Sequence, residues 1–278
     1  MQKNIKISNI EDYMYLFQDD NKDFNDIQWV EPIFIGMLKA YQTDKNIKIE
    51  TNNTYIQNMI LQDFKEGSTF SPIEHIQNSR MGLEKISTHL TNIMLKNFNN
   101  LSEADKTDLK HYLQYLFLEL MNNVADHAHS SIGGFTMSQY YPKGKKIQFV
   151  VADRGVAFLD NMKLNFNNIS TEEEAIYKAL EKGVTSTIQK MYGQEKNAGY
   201  GLYAMSKILE MTGGRYVIIS NDTLLKCING KKEIVKLREP WKGVIVAFEF
   251  FEKNINYDMD YFKRNYLWNL DEEDEDFF

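Results

Sequence analysis

Three short segments place polar residues where the surrounding pattern predicts burial or a tight turn. In the first, Glu119, Asn123 and Asp126 follow one another at intervals of four and three residues within a long periodic run. On a helix, this spacing puts all three side chains on one face. Two carboxylates and a carboxamide offer the oxygen ligands that a hydrated Mg²⁺ prefers. The alternative is an ordinary solvated helix face.

The second segment places an acidic residue at the end of an apolar run. Asp153 follows Val150, Val151 and Ala152, and Gly155 comes two positions later. An ionised carboxylate only accepts hydrogen bonds, so at the edge of a sheet it suits an exocyclic amine such as that of adenine. An Asp that merely opens a turn is the alternative.

The third segment is rich in glycine and comes just before a predicted helix. It contains Gly199, Gly201 and Leu202. Glycines let backbone N–H groups approach a phosphate closely, and a helix N-terminus adds partial positive charge. A Gly-x-Gly pair before a helix also occurs in plain turns, so this segment alone is a weak signal.

Regular elements must position these three segments, and their order is readable from periodicity and turn signals. A long helix carries the first segment, a strand ends in the second, and the third opens a helix. Thr171 and Glu174 form a capping signature for a further helix, and Asn229-Gly230 is a hairpin signal. The predicted elements are helices at 106–128, 171–182 and 201–211 and strands at 134–141, 146–152, 215–220 and 243–251. We expect an α+β fold with helices on one antiparallel-rich sheet.

The preceding part of the chain predicts a small α/β unit over residues 1–70. Its expected elements are strands at 25–30 and 45–50 and helices at 33–41 and 55–64. Pro72 lies at the best candidate boundary. A helical stretch at 73–98 is expected within a connector spanning 71–105.

Taken together and in this order, the three segments resemble the GHKL superfamily. That group includes DNA gyrase B, Hsp90, histidine kinases, MutL and the anti-sigma serine kinases. The resemblance covers residues 106–251 and includes the Thr212-Gly213-Gly214 step before a strand and Gly243 at the start of the last one. It implies a two-layer α/β sandwich of the Bergerat, or histidine kinase-like ATPase, type behind the small N-terminal unit.

The resemblance also implies ATP and Mg²⁺ as cofactors and gives each site residue a role. Asn123 would coordinate the Mg²⁺ that bridges the ATP phosphates, and Asp153 would accept the adenine amino group. Glu119 matches the carboxylate that orients or deprotonates the attacking water. Asp126 matches a second nucleotide-binding position on the same helix. Gly155 would let the base lie against the backbone. Gly199, Gly201 and Leu202 would cradle the phosphates below a lid at 183–198.

The sequence departs from the family pattern at two positions. Ala157 replaces the final glycine of Asp-x-Gly-x-Gly, and Val244 lies in a strand where some members have a threonine. The upstream histidines, His75, His89 and His111, lack the phosphoacceptor pattern of sensor kinases. Residues 20–65 resemble a STAS domain faintly, and an unrelated α/β cap is the alternative.

The resulting prediction is a regulatory protein that hydrolyses ATP or transfers its γ-phosphate in a signalling or defence switch. The alternatives are an anti-sigma-type serine kinase in a partner-switching system and a non-catalytic, ATP-gated module that binds a partner. A protein partner or a homodimer is expected through residues 73–98 or through an aromatic helix after residue 251.

Composition limits the other function classes. The chain has 278 residues and a formal net charge of −7, and six acids lie in the run 271–276. The rest of the chain is therefore nearly neutral, which gives no global field for nucleic acid or anionic lipid. A single cysteine, Cys227, excludes an internal disulfide framework. With no signal-peptide-like or membrane-spanning stretch, a cytoplasmic protein is expected.

Overall fold

The computed structural model describes residues 2–61, 67, 69–96, 102–184 and 201–251. An eight-residue 3₁₀ helix spans Ile10–Phe17, and a single turn of π helix spans Gln57–Leu61. The strands and α-helices within these ranges are, in chain order, β1 Lys3–Ile5, β2 Ile27–Val30, α1 Pro32–Lys45, α2 Thr54–Ile56, β3 Glu74–Ile76, α3 Leu83–Leu95, α4 Glu103–His127, β4 Gly134–Tyr141, β5 Lys146–Asp153, α5 Phe158–Met162, α6 Glu172–Ala179, α7 Gly201–Met211, β6 Arg215–Ile228 and β7 Lys231–Phe251.

A five-stranded antiparallel sheet forms the centre of the fold, in the order β3-β4-β5-β7-β6. The expectation of an α+β fold with an antiparallel sheet is confirmed. Strands β6 and β7 form a long hairpin whose turn residues, Asn229 and Gly230, both have positive φ angles, 51° and 75°. Positive φ at both central residues is the signature of the type I′ turn that Asn-Gly favours.

Alternation along the central strands divides the interior into two cores, one on each face of the sheet. The first core contains Phe149 and Val151 of β5 and packs against α3, α4, α6 and α7. We call this the helical face. Phe117 of α4 stacks on Phe149 with ring centroids 4.3 Å apart. The second core contains the intervening Val150 and Ala152.

The N-terminal segment, residues 2–61, covers this opposite face, which we call the N-terminal face. Helix α1 begins with Pro32, a favoured first helical residue, and ends at Asn46 in the left-handed region, φ 52°. A Cβ on Gly36 would lie 3.0 Å from a Val150 methyl group, so α1 lies close against β5. The segment that the sequence interpretation treated as a separate unit therefore shares a core with the sheet.

Two of the elements expected from the sequence are replaced by other structure, and the strands expected at 215–220 and 243–251 are longer, as β6 and β7. Residues 45–50 do not form a strand: α1 runs to Lys45, and only an isolated bridge joins Glu50 to Asp23. The alternation of Ile47 and Ile49 instead reflects their packing on the second core. The continuous helix expected at 73–98 is replaced by β3, which pairs with β4, and by the shorter α3.

The helix expected at 55–64 is present as α2 and the π turn up to Leu61, and residues 62–64 lie outside the described ranges. Gly82, with φ 87°, precedes α3 and marks the break between strand and helix. None of the helices in the described ranges is both long enough and apolar enough to cross a bilayer.

Candidate functional site

A pocket opens on the helical face. Residues of α4, β5, α5, α7 and β7 line it. Five of the residues selected from the sequence are among them: Glu119, Asn123, Asp153, Gly201 and Leu202. The structure therefore brings parts of all three polar segments to one concave site. Apolar side chains fill in the wall between them, including Val124, Val151, Phe158, Met162 and Val246.

Asp153 is the buried acid of this pocket, with only 3% of its surface exposed. Its Oδ1 accepts hydrogen bonds from the backbone N–H groups of Gly155, at 2.8 Å, and Val244, at 3.3 Å. Within the described part of the chain, Oδ2 accepts none. Burial raises the pKa of this carboxyl from 3.8 to about 7, although the two hydrogen bonds and the charge of Arg154 oppose the rise.

Two glycines make the turn around Asp153 possible. A Cβ on Gly155 would lie 1.9 Å from the backbone oxygen of Ala128, at the end of α4. Gly243 has a φ of 97°, and a Cβ there would lie 2.6 Å from the backbone oxygen of Asp153. The turn is thus held between α4 and β7, a position that only residues without a side chain allow. Gly155 supports Asp153 from the backbone and does not line the pocket.

The pocket-facing stripe of α4 carries Glu119 and Asn123. Burial raises the pKa of Glu119, as does the charge of Asp126, while a hydrogen bond from Asn122 and the charge of Arg80 act in the opposite direction. The side chain of Asn123 makes no hydrogen bond within the described chain. A Cβ on Gly201 would lie 2.7 Å from the Cβ of Glu119, so the start of α7 lies directly against this stripe.

Asp126 occupies a different environment from its two neighbours on the helix. Arg80 donates two hydrogen bonds to it, from Nε at 3.1 Å and from Nη2 at 2.8 Å. Asp126 is not among the residues that line the pocket. The geometry gives it an ion pair that joins α4 to the turn before α3, rather than a place in the pocket wall.

The remaining predicted positions lie outside the described ranges. These are Gly199 and residues 185–198 of the expected lid. Val184, the last residue described before that gap, lines the pocket. Gly183 just before it has a positive φ of 73°.

Asn161 of α5 is a pocket residue that the sequence reasoning missed. It is buried, it lines the pocket, and its Nδ2 donates to the backbone oxygen of His127 at 2.9 Å. Its polar side chain among the apolar residues of α5 was the available signal. Beside it, burial lowers the pKa of the His127 imidazole, and this residue also lines the pocket.

Glu172, at the first position of α6, is bonded to the first turn of α5. Its Oε1 accepts a hydrogen bond from the backbone N–H of Leu159 at 3.2 Å and another from the hydroxyl of Ser220. The Ser220 hydroxyl in turn accepts from the N–H of Phe158 at 3.0 Å. Together they satisfy the first donors of α5 and so fix Phe158 and Asn161 in the pocket wall.

The pocket therefore contains an apolar wall, a buried acceptor and a polar stripe, but among the described residues it is not a preformed metal cage. No group of three or more His, Cys, Asp or Glu side chains suited to a metal ion occurs among the described residues. A cation held here would need oxygen ligands from a second molecule in addition to Glu119 and Asn123.

No family model matches the chain, and no curated protein is significantly similar to it.

Proposed function

We propose that the protein binds ATP with Mg²⁺ in the pocket on its helical face, in a domain of the Bergerat type. The observation that carries the proposal is the environment of Asp153. Two backbone N–H groups hold Oδ1 of this buried acid, and Oδ2 accepts no hydrogen bond from the described chain. A fixed acceptor with one open oxygen in an apolar pocket suits the amino group of adenine.

The opposite side of the pocket fits the triphosphate and its cation. Asn123 contributes an amide oxygen that has no partner in the described chain and is the protein ligand that we assign to the cation. Glu119 lies one turn before it on α4. A magnesium ion bound to ATP takes most of its ligands from phosphate and water, so it needs few from the protein. The first turn of α7, starting at Gly201, presents backbone N–H groups against this stripe.

Glu119 is the candidate acid–base residue. Burial raises its pKa, which makes the carboxylate a stronger base toward a water or hydroxyl at neutral pH. The bound magnesium would supply charge stabilisation at the phosphates. The resulting activity is hydrolysis of ATP or transfer of its γ-phosphate, and we place it in a regulatory switch.

Calorimetric titration with a non-hydrolysable ATP analogue and Mg²⁺ tests the binding. We expect one saturable site in the wild type and at least about tenfold weaker binding in Asp153→Asn. The single oxygen of the amide would stay on the two backbone donors, and its NH₂ group would then face the amino group of adenine. Asp222→Asn is the matched control: Asp222 is half-exposed on β6 and pairs with Lys236 at 3.2 Å. Absence of saturable binding by the wild type would refute the proposal.

The identity of the base is tested by comparing ATP with inosine triphosphate, which carries an oxygen where adenine has its amino group. The titration is made at about pH 8, above the Asp153 pKa of about 7, so that the carboxyl is ionised. Asp153 should then disfavour that oxygen, because two acceptors would face each other. We expect the preference for ATP to shrink in Asp153→Asn. Equal affinities for the two nucleotides in the wild type would remove the assigned role of Asp153.

The catalytic role is tested separately with Glu119→Gln. We expect this variant to keep nucleotide affinity within about threefold and to lose turnover by about 10²-fold or more, the usual contribution of a positioned base. Steady-state phosphate release measures the loss. If the wild type binds ATP without turnover, the function is that of an ATP-gated binding module.

A further inference from the structure

The residue after Asp153 connects the pocket to the N-terminal face. Successive residues of an extended chain point to opposite sides, so Arg154 lies behind the turn whose front carries Asp153. Arg154 is only 6% exposed. Its Nε donates to Oδ2 of Asp44 at 3.2 Å. Asp44 belongs to the last turn of α1, so the ion pair joins the N-terminal segment to the pocket turn.

Trp241 contacts both Arg154 and the backbone of Asp153. The guanidinium carbon of Arg154 lies 4.4 Å from the centre of the Trp241 ring, which is a cation–π distance. The indole Nε1 donates to the backbone oxygen of Asp153 at 2.9 Å. Trp241 is fully buried. We refer to Asp44, Arg154 and Trp241 as the Arg154 clamp.

Asp44 is the only member of the clamp that comes from the N-terminal segment. Its other oxygen, Oδ1, accepts a hydrogen bond from Lys242 at 3.0 Å. Asp44 therefore holds both Arg154, behind Asp153, and Lys242, which precedes Gly243. Burial would raise the pKa of Asp44, but the bond from Lys242 and the charge of Arg154 outweigh it and hold the pKa below its ordinary value.

These contacts fix the two backbone segments that donate to the Asp153 carboxylate. Gly155 follows Arg154 directly, and Val244 follows Lys242 after one residue. A buried guanidinium that loses its carboxylate must rearrange to reach water. Loss of the Asp44 charge should therefore displace the N–H groups of Gly155 and Val244 that donate to Asp153. No residue that lines the pocket needs to be substituted for this effect.

We propose that the Arg154 clamp positions the base-binding turn, so that the N-terminal segment sets the nucleotide affinity and base selectivity of the pocket. The proposal rests on the proposed nucleotide site. Asp44, Arg154 and Trp241 act as positioning residues and do not touch the nucleotide. A change in how α1 packs on the sheet is then transmitted to the pocket through the ion pair between Asp44 and Arg154.

Nucleotide titration of Asp44→Asn tests the proposal. We expect binding of the ATP analogue to weaken about tenfold, within the range of energetic coupling through packed networks. The ratio of affinities for ATP and inosine triphosphate should also fall, which a loss of stability alone would not produce.

Glu31→Gln is the matched control. Glu31 is also a buried acid of the N-terminal segment and pairs with Lys146 at 3.0 Å. Lys146 begins β5 and Asp153 ends it, so this ion pair lies about 23 Å from the turn. We expect an affinity within about twofold of the wild type. A similar loss in both variants would overturn the proposal, because the effect would then be one of general loosening.

Trp241→Phe provides a second variant that keeps an aromatic ring but removes the N–H donor to Asp153. It should also weaken binding and reduce base discrimination, even if Asp44→Asn fails to fold. Unchanged affinity in both Asp44→Asn and Trp241→Phe would overturn the proposal.

Hydrogen exchange without nucleotide separates this proposal from the proposed function. The amides of Gly155 and Val244 should exchange about tenfold faster in Asp44→Asn and at the wild-type rate in Glu31→Gln. Unchanged exchange in Asp44→Asn refutes the clamp. Faster exchange in a protein that binds no nucleotide keeps the clamp and refutes the nucleotide site.

Discussion

The two faces of the central sheet are packed in opposite ways, although the same strands supply both. On the N-terminal face, Phe34 and Trp241 are fully buried, and both contact Phe17 with ring centroids about 5.5 Å apart. On the helical face, the layer of helices leaves a pocket beside Asp153 and Glu119. The N-terminal face, which we also call the filled face, stabilises the fold by burying apolar side chains. The helical face, or open face, contains polar groups whose burial is costly.

This difference shows how a sheet can present a buried polar site without losing its fold. Alternation sends Val151 toward the pocket and its neighbours Val150 and Ala152 into the opposite core. Tight packing on the N-terminal face fixes the backbone of the strand, so its helical face can remain incompletely filled. Four changes test how far this division holds.

The largest effect is expected from Phe34→Ala on the filled face. Removing a fully buried ring leaves a cavity and should lower the free energy of unfolding by about 3–5 kcal/mol. Phe158→Ala is the counterpart on the open face, where the ring is only partly buried at the pocket wall. We expect it to cost about 1 kcal/mol. Urea denaturation measures both, and equal losses would contradict the division between the faces.

The second effect is a pH dependence that comes from Asp153. Its folded-state pKa is raised from 3.8 to about 7, so between these values the folded protein binds a proton that the unfolded chain has released. Stability from this group is therefore complete below about pH 4 and is lost as the pH rises to about 7, by at most about 1.4 kcal/mol per pH unit. Urea denaturation at several pH values measures it.

Asp153→Asn is the comparison for that measurement, because the amide does not titrate. The difference in unfolding free energy between the variant and the wild type should change across pH 4–7 and become constant above it. Other buried acids contribute equally to both proteins and cancel. Parallel curves over the whole range would show that Asp153 is ionised in the folded protein throughout.

A smaller effect is expected where α7 meets α4. In Gly201→Ala the new Cβ would lie 2.7 Å from the Cβ of Glu119, so the helices must separate at a cost of about 1–3 kcal/mol. Nucleotide affinity should fall with it. Gly144→Ala is the control, since its added Cβ meets nothing closer than 3.5 Å. Thermal denaturation should leave the control near the wild type, and a stable Gly201→Ala would contradict the close contact.

The smallest effect is expected at the cap of α6. The hydroxyl of Thr171 accepts from the N–H of Glu174 at 3.2 Å, and the Glu174 carboxylate accepts from the N–H of Thr171 at 3.0 Å. Thr171→Ala should lower the free energy of unfolding by about 1 kcal/mol. Thr171→Ser, which keeps the acceptor, should recover most of that loss. No recovery by serine would assign the loss to the methyl group instead.

The second half of the described chain was predictable because its signals are local. Strand β4 and helix α7 have the predicted bounds, and the capping box at Thr171 and the Asn229-Gly230 turn form as expected. Periodicity, caps and two-residue turns each depend on neighbours in sequence. Glu119, Asn123 and Asp153 could be chosen for the same reason, and the fold places all three around one pocket.

The features that were not predictable depend on tertiary contacts. Strand β3 has three residues, too few for a pattern, and exists because β4 pairs with it. The Asp126 partner, Arg80, is 46 positions away. A signal for the covered second face did exist: Phe149 to Ala152 is a continuous apolar run, which is typical of a strand buried on both sides.

The position of β7 has a consequence for the order of folding. β7 is the last described strand in the chain, yet it lies between β5 and β6, inside the sheet and not at its edge. During synthesis, β4 and β5 can pair early, but β6 cannot join them until residues up to Phe251 have left the ribosome. The N-terminal segment cannot complete its contacts earlier either, because it bonds to the hairpin of β6 and β7. Gln18 donates to the backbone oxygen of Pro240, and Lys226 donates to Glu11. Such long-range closure predicts slow folding, with both cores completed in one late step.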